Sequence, residues 1–158
     1  MESRIKEMIQ LAVELSAEGM KRGDGGPFGS IIVRNNEIVG RGWNQVLKTN
    51  DPTAHAEVVA IRDACSRLKT FDLTGCEIFT SCEPCPMCLG AIYWARPDRV
   101  FYANTKEDAA AIEFDDSFIY SEIHLPNSSK KIPLIHVQEP EALKVFENWA
   151  KKTDRIRY

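Results

Sequence analysis

Two short runs of sequence decide how this chain is organised: His55-Ala56-Glu57 and Pro84-Cys85-Pro86-Met87-Cys88. One imidazole and two thiols at C-x-x-C spacing are three ligands that suit a tetrahedral Zn²⁺ ion, with the fourth position open to water. A carboxylate two residues after the histidine is placed to move protons at that water. The two runs therefore predict a catalytic zinc site made by His55, Cys85 and Cys88, with Glu57 as its proton-transfer group.

The spacing within each run indicates that both runs lie at helix N-termini. Cys85 and Cys88 are three residues apart, so one helical turn places both sulfurs on the same side. His55 and Glu57 would diverge by about 200° in the middle of a helix, so they converge only near a helix end. Asp51-Pro52-Thr53 offers capping residues and a helix-compatible proline just upstream. The positive ends of the two helix dipoles there favour thiolates over thiols.

A structural zinc site is the alternative interpretation of these ligands. It would need four protein ligands, and Cys82 extends the second run to C-x-x-C-x-x-C. Such a site gives Glu57 no role, and Cys82 falls at the end of a predicted strand, where a thiol can be buried. This alternative describes a non-catalytic, zinc-stabilised binding protein, and the number of protein ligands on the metal distinguishes it from an enzyme.

Length and composition describe a small domain with no evident nucleic-acid surface. The 158 residues suit one domain with a sizeable core, and the net charge is −3. Because no long run of lysine or arginine occurs, we expect no nucleic-acid partner. Five cysteines, three of them within seven residues, indicate metal chemistry and not a disulfide framework. No apolar leader or membrane-spanning run is present, which predicts a cytoplasmic protein.

The order of predicted elements describes an α/β fold. Periodicity predicts amphipathic helices at both ends and alternating helices and strands between them. The predicted helices are 2–21, the segment after His55, 86–96, part of 105–122, and 140–152, and the predicted strands are 28–33, 37–43, 76–82, 99–103 and 132–137. The strand–helix–strand steps imply parallel pairing, with helices on both faces of the sheet.

Two polar groups outside the zinc runs are candidate substrate contacts. Asn44 follows the second predicted strand, where a side chain can face a pocket, although a turn asparagine bonded to its own backbone is an equal alternative. Asp115 and Asp116 lie between Phe114 and Phe118. Adjacent acidic residues are usually solvated, but the flanking aromatic residues favour one carboxylate pointing into a cavity.

These motifs resemble those of the cytidine-deaminase superfamily, whose zinc signature is H-x-E followed by P-C-x-x-C. Within it, the chain looks like the short bacterial guanine deaminases. The resemblance is carried by Pro52–Glu57, Ser81–Pro97, Phe114–Tyr120 and the turn Gly25-Gly26-Pro27-Phe28-Gly29. It covers nearly the whole chain and is weakest over residues 121–150. It implies a three-layer α/β/α cytidine-deaminase-like fold, with a five-stranded mixed central sheet, in one domain spanning 1–158.

The resemblance also implies an activity, namely zinc-dependent hydrolysis of guanine to xanthine and ammonia in purine catabolism or salvage. Zinc would be held by His55, Cys85 and Cys88, while Glu57 and Asp116 would be the catalytic groups. Asp116 would also contact the purine. The other implied substrate contacts are Phe28, stacking on the ring, Asn44, the Ala56 backbone, Trp94 and Tyr158.

A homodimer is the last implication of the resemblance. Segments of about 140–158 would be exchanged between subunits, so that Tyr158 closes the partner's pocket and Trp94 helps to line that wall. On composition alone, a terminal tyrosine is more often frayed than functional. Deleting Tyr158 distinguishes the two interpretations.

Two groups of substrates compete with guanine. Guanosine, cytosine or a triazine-type amine would use the same zinc site, because the sequence does not define the pocket volume. A tRNA adenosine deaminase shares the zinc motif, but it would need a basic surface around the pocket, whereas this chain is acidic. An ionised Asp116 fits guanine, whose N1–H and 2-amino groups are donors, and meets the N1 acceptor of adenine poorly.

Overall fold

The computed structural model describes residues 2–158, which form seven α-helices and four strands. The helices are α1 (Glu2–Lys21), α2 (Val46–Thr49), α3 (Ala56–Leu68), α4 (Pro86–Ala95), α5 (Lys106–Ala110), α6 (Ser117–Ile123) and α7 (Pro140–Lys151), and the strands are β1 (Gly29–Arg34), β2 (Glu37–Trp43), β3 (Cys76–Cys82) and β4 (Arg99–Asn104). The backbone packs into two compact units, one ending at Asp116 and the other covering Ser117–Tyr158.

The sheet of the first unit is mixed, with strand order β2-β1-β3-β4. Strand β1 runs antiparallel to both β2 and β3, whereas β3 and β4 are parallel and are joined by α4. The β1–β2 connection is a two-residue turn in which Asn35 and Asn36 have φ values of 51° and 66°. Asparagine tolerates this left-handed conformation, and the turn matches the twist of a hairpin. The predicted hairpin and parallel crossover are both confirmed.

Helices cover both faces of this sheet, which makes three layers. Helix α1 packs on one face through an apolar cluster that includes Met8, Ile31, Val33 and Phe79. Helices α3 and α4 pack on the other face, in a cluster that includes Ile32, Ile78, Ala60, Ala64 and Ile92. Because neighbouring strand residues point to opposite faces, Ile31 and Ile32 enter different clusters. The α/β/α layering predicted from the resemblance is therefore confirmed.

The predicted five-stranded sheet is wrong by one strand, because the described residues form four. Residues 132–137 were expected to be the fifth, and they have no strand conformation. Their apolar, β-branched composition suits a strand, but Pro133 has no N–H to donate to a ladder. Ile132, Ile135 and Val137 are about four-fifths exposed, at 78%, 82% and 77%, so no sheet face buries them.

Glycines in β2 fix the height of α3 above the sheet. A Cβ atom on Gly42 would lie 2.2 Å from the carbonyl oxygen of Ala56, and one on Gly40 would lie 2.6 Å from that of Ala60. Any larger residue would therefore push the helix away from the strand. The close approach places the first turn of α3, including Glu57, directly against the sheet.

The second unit consists of α6, a 3₁₀ turn at Asn127–Ser129 and α7. The Lys130 ammonium donates to the carbonyl oxygens of Ile123 at 3.2 Å and Leu125 at 2.7 Å, which satisfies acceptors at the end of α6. None of the helices in residues 2–158 is long and apolar enough to cross a bilayer.

Candidate metal centre and active site

The three predicted metal ligands lie together in the first unit. The Nδ1 atom of His55 is 3.5 Å from the sulfurs of both Cys85 and Cys88, and all three donor atoms lie within 4.8 Å of one another. Tetrahedral zinc with ordinary Zn–S and Zn–N bonds holds such a nitrogen and sulfur about 3.6 Å apart. The donor chemistry and the spacing of these three groups therefore both fit Zn²⁺.

Both halves of this cluster are helix N-termini, as predicted. His55 is the N-cap residue of α3, and Cys85 is the N-cap residue of α4, where its sulfur accepts from the Cys88 backbone N–H at 3.5 Å. The expectation that Asp51 or Thr53 would cap α3 is wrong. The Asp51 carboxylate instead accepts from the Thr53 N–H at 2.8 Å and closes the turn before the helix.

The two thiols of the cluster shift each other's pKa in opposite directions. A hydrogen bond from the Cys88 thiol lowers the pKa of Cys85 to about 4, and the same bond raises the pKa of Cys88. Hydrogen bonding to the Cys85 sulfur also raises the pKa of His55. A divalent metal suits this donor set because its positive charge favours the thiolate form of both cysteines.

Cys82 is not part of the cluster. Among the residues that the structure describes, the group that could hold a metal contains only His55, Cys85 and Cys88. The Cys82 thiol is directed to the carbonyl oxygen of Thr105 at 3.5 Å, and burial raises its pKa to about 11. The arrangement therefore favours three protein ligands and an open position, as in a catalytic zinc site.

Glu57 is buried beside these ligands. Burial raises the pKa of its carboxyl group, while hydrogen bonds from its own backbone, Cys88 and Thr80 act in the opposite direction. The Thr80 hydroxyl donates to Glu57 Oε1 at 2.9 Å. Sequence reasoning missed Thr80, because a threonine beside Ser81 in a β-strand carries no signal of its own.

The predicted contact Asn44 is buried at the end of β2, with 4% of its surface exposed. Its Oδ1 atom accepts from the Val46 N–H at 3.1 Å, so the turn-asparagine interpretation is correct for this oxygen. Its backbone N–H donates to the carbonyl oxygen of Phe28 at 3.0 Å. The hydrogen bond to Oδ1 therefore fixes the direction of the side-chain carboxamide.

Aromatic and acidic residues after α5 complete the first unit. Phe28 and Phe114 meet edge to face, with ring centroids 5.0 Å apart and an interplanar angle of 86°. Asp116 is half-buried, and its pKa is raised first by burial and then by the negative charge of Cys85.

The remaining predicted contacts are distributed over both units. Ala56 is fully buried as the first residue of α3, next to His55. Trp94 lies on α4 with 66% of its surface exposed, and Tyr158 ends the second unit with 68% exposed. The roles of Trp94 and Tyr158 at a partner's pocket stay predictions.

Comparisons with known proteins agree with this geometry. The cytidine and deoxycytidylate deaminase zinc-binding region matches residues 2–104. Guanine deaminase of Bacillus subtilis (strain 168) is 51% identical over 150 residues, which cover 95% of this chain and 96% of the relative. A crystal structure of B. subtilis guanine deaminase has a TM-score of 0.94 and 50% identity, covering 97% of this chain and 98% of that one.

A second kind of relative shares less of the chain. A tRNA-specific adenosine deaminase of Buchnera aphidicola subsp. Schizaphis graminum is 34% identical over 125 residues, covering 79% of this chain and 80% of the relative. The family match over residues 2–104 contains His55, Glu57, Cys85 and Cys88. This chain therefore belongs to the zinc-binding cytidine and deoxycytidylate deaminase family.

Proposed function

We propose that this protein is a guanine deaminase that hydrolyses guanine to xanthine and ammonia with zinc as its cofactor. One observation carries the proposal: a His-Cys-Cys cluster with three donor atoms within 4.8 Å lies beside a buried carboxylate. The likeness to B. subtilis guanine deaminase over nearly the whole chain selects guanine among the substrates of the family.

Glu57 carries the proton transfers of this reaction. Zinc, when bound, supplies a Lewis acid that activates water for attack on C2 of guanine. Glu57 accepts the proton of that water on its carboxylate and delivers it to a ring nitrogen. It then moves the second proton, from the new C2 hydroxyl, to the 2-amino group, so that the C2–N bond breaks, C2 becomes a carbonyl and ammonia leaves. Because burial raises the pKa of Glu57, its carboxylate accepts the proton of water more readily than an exposed glutamate does. Such general acid–base catalysis contributes roughly 10²–10⁴-fold to the rate.

The substrate preference follows from donors and acceptors at the site. The Asp116 carboxylate accepts from N1–H and the 2-amino group of guanine, while Asn44 Nδ2 donates to an acceptor on the purine edge. Phe28 packs on the ring. Adenine presents an acceptor at N1, and an unpaired buried polar group costs roughly 1–3 kcal/mol, which lowers turnover by about 5- to 150-fold.

An ammonia-release panel tests the proposed function. Guanine, guanosine, cytosine, adenine and a tRNA anticodon arm are compared at equal concentration, with the zinc content measured in the same samples. We expect guanine to be converted fastest, and the acidic net charge of −3 argues against the tRNA arm. Faster deamination of the tRNA arm or of a nucleoside would show that guanine is not the substrate.

A matched pair of variants tests the assigned role of Asp116. Asp116→Ala should lower kcat/KM for guanine and leave one zinc per chain, because the carboxylate contacts substrate and not metal. Asp115→Ala removes the adjacent exposed carboxylate and serves as the control. Equal losses in the two variants would show that general charge, and not the Asp116 contact, matters.

We further propose that the protein is one deaminase domain that works as a homodimer with exchanged segments of about 140–158. Two separate observations support a partner. Helix α4 exposes Leu89, Tyr93 and Trp94, at 39%, 76% and 66%. Helix α7 exposes apolar side chains of its own, namely Leu143, Val145, Phe146 and Trp149. Exposed large apolar side chains, when they group on one surface, mark an interaction site.

Mixed dimers test the exchange. A Glu57→Gln subunit with an intact tail is co-expressed with a Glu57-containing subunit that lacks Tyr158. If the tail closes the partner's pocket, the mixed dimer regains activity, because its intact Glu57 site receives an intact Tyr158. Activity no higher than that of the Tyr158-deleted homodimer would show that each tail closes the pocket of its own subunit. A mass of 17.9 kDa in solution would contradict the dimer itself.

We also propose that the protein works in the cytoplasm. None of the five cysteines forms a disulfide, and Cys76 and Cys82 are buried as thiols. Thiols persist where the environment is reducing. Cell fractionation followed by immunodetection tests this location, and recovery in a membrane or secreted fraction would contradict it.

A further inference from the structure

One face of the β1–β3 pair changes from apolar to polar along its length. Ile32 and Ile78 are directly opposed and pack, fully buried, in the core beneath α3. Two residues along each strand, the same face carries Ser30 and Thr80, which are again directly opposed and again buried, at 0% and 1% exposure. A buried hydroxyl destabilises the fold unless it is hydrogen-bonded. Packing alone therefore does not explain why these two hydroxyls lie in the core.

Only Thr80 of this pair contacts Glu57. Its Oγ1 lies 2.9 Å from Glu57 Oε1 and 3.3 Å from the carbonyl oxygen of Gly29. A hydroxyl has one hydrogen to donate, and the carboxylate is both the nearer and the stronger acceptor. Ser30 Oγ has no hydrogen-bond partner among residues 2–158. The two hydroxyls thus match in burial and face but differ in their contact with Glu57.

The contact restrains the most mobile torsion of the catalytic side chain. The last torsion of a glutamate is broad and roughly two-fold, so packing alone does not fix the plane of the carboxylate. Glu57 also accepts from its own backbone and from Cys88, but the Thr80 hydroxyl is the donor that reaches the carboxylate from the sheet, and it restrains Oε1 at 2.9 Å. We propose that Thr80 is a positioning residue, whose hydroxyl holds the Glu57 carboxylate in the orientation needed for proton transfer. The effect on rate rests on the proposed guanine deamination, whereas the effect on orientation does not.

Three variants measure the contribution of the hydroxyl. Thr80→Val keeps the shape and removes the donor, so kcat for guanine should fall roughly 10- to 100-fold, the range for a hydrogen bond to a charged group. KM should stay within about twofold, because the lost interaction serves proton transfer and not binding. Thr80→Ser, which keeps the hydroxyl, should restore kcat to within about threefold of wild type. The matched control Ser30→Ala removes an equally buried hydroxyl and should leave kcat unchanged.

Crystal structures of the zinc-loaded variants separate this inference from the proposed function. We expect the Glu57 carboxylate plane to be rotated or divided between two orientations in Thr80→Val, and unchanged in Thr80→Ser and Ser30→Ala. If the wild-type protein releases no ammonia from guanine, the proposed function fails, and the orientation of Glu57 still decides the role of Thr80.

Two results would overturn the role of Thr80. The first is a Thr80→Val protein with the wild-type orientation of Glu57 and wild-type kcat. The second is an equal loss of kcat in Ser30→Ala, which would mean that any buried hydroxyl of this face matters. If Thr80→Val does not fold, Thr80→Cys, a weaker donor, replaces it. Its kcat must then fall further than that of Thr80→Ser.

Discussion

Replacing Gly25 by alanine tests whether the Asn44 carboxamide is a substrate contact. A Cβ atom at Gly25 would lie 2.1 Å from Asn44 Oδ1 and 2.8 Å from the Asn44 carbonyl oxygen. The carboxamide cannot rotate away freely, because its Oδ1 accepts from the Val46 N–H at 3.1 Å. The substitution must therefore move Asn44 or break that hydrogen bond, and either change redirects the Nδ2 group that we assign to the purine.

The size of the effect follows from two separate costs. Overpacking a filled site costs roughly 1–3 kcal/mol of stability, which for a chain of this size lowers the Tm by about 2–12 °C. Loss of one hydrogen bond between neutral groups costs about 1 kcal/mol, so KM for guanine should rise roughly two- to tenfold. Zinc binding should be unchanged, because Asn44 is not a metal ligand.

Gly23 supplies the control from the same loop. A Cβ atom there meets nothing within 4 Å, although the residue has φ +73°. Gly23→Ala therefore adds backbone strain of about 1–2 kcal/mol without touching Asn44. Steady-state kinetics and thermal unfolding are measured on both variants. Equal KM values in the two variants, with Gly25→Ala destabilised as expected, would refute the assignment of Asn44 to the substrate.

Three further predictions concern the metal, the pH dependence and the tail. Cys82→Ala should keep one zinc per chain and Cys85→Ala should lose it, as measured by atomic emission; zinc loss from Cys82→Ala would revive the four-ligand interpretation. The hydrogen bond from Trp43 lowers the pKa of Asp24 below 3.8. The ionised carboxylate therefore stabilises the fold fully above pH 3.8, and this stabilisation is lost as pH falls through the lowered pKa. Urea midpoints of wild type and Asp24→Asn should therefore differ at neutral pH and converge in acid. Deleting Tyr158 should lower kcat/KM for guanine, and wild-type kinetics would indicate a frayed end.

Local sequence signals were sufficient for the elements that hold the metal. Strand β3 was predicted with its observed bounds, Cys76–Cys82, because an apolar run lies between turn residues. The starts of α3 and α4 followed from ligand chemistry. His55 and Glu57 converge only near a helix end, and one helical turn brings the sulfurs of Cys85 and Cys88 to the same side. These features depend on residues close together in sequence, which is why the sequence alone defined them.

Features that depend on distant partners were not predictable in the same way. The run 132–137 has the composition of a strand, but a strand also needs a neighbouring edge, and Pro133 interrupts the donors of the ladder. Thr80 suits any β-strand, so its hydroxyl carried no visible signal until the register placed it against Glu57. The Gly25 contact with Asn44 likewise arises only once the loop folds back on β2.

Ammonia release by zinc-loaded Glu57→Gln is the measurement that tests the mechanism most directly. Glutamine keeps the shape of the buried side chain and removes its ability to accept a proton. We predict one zinc per chain, as in the wild type, together with a fall in guanine turnover of roughly 10²–10⁴-fold. A variant that holds zinc and converts guanine at the wild-type rate would contradict the assignment of proton transfer to Glu57.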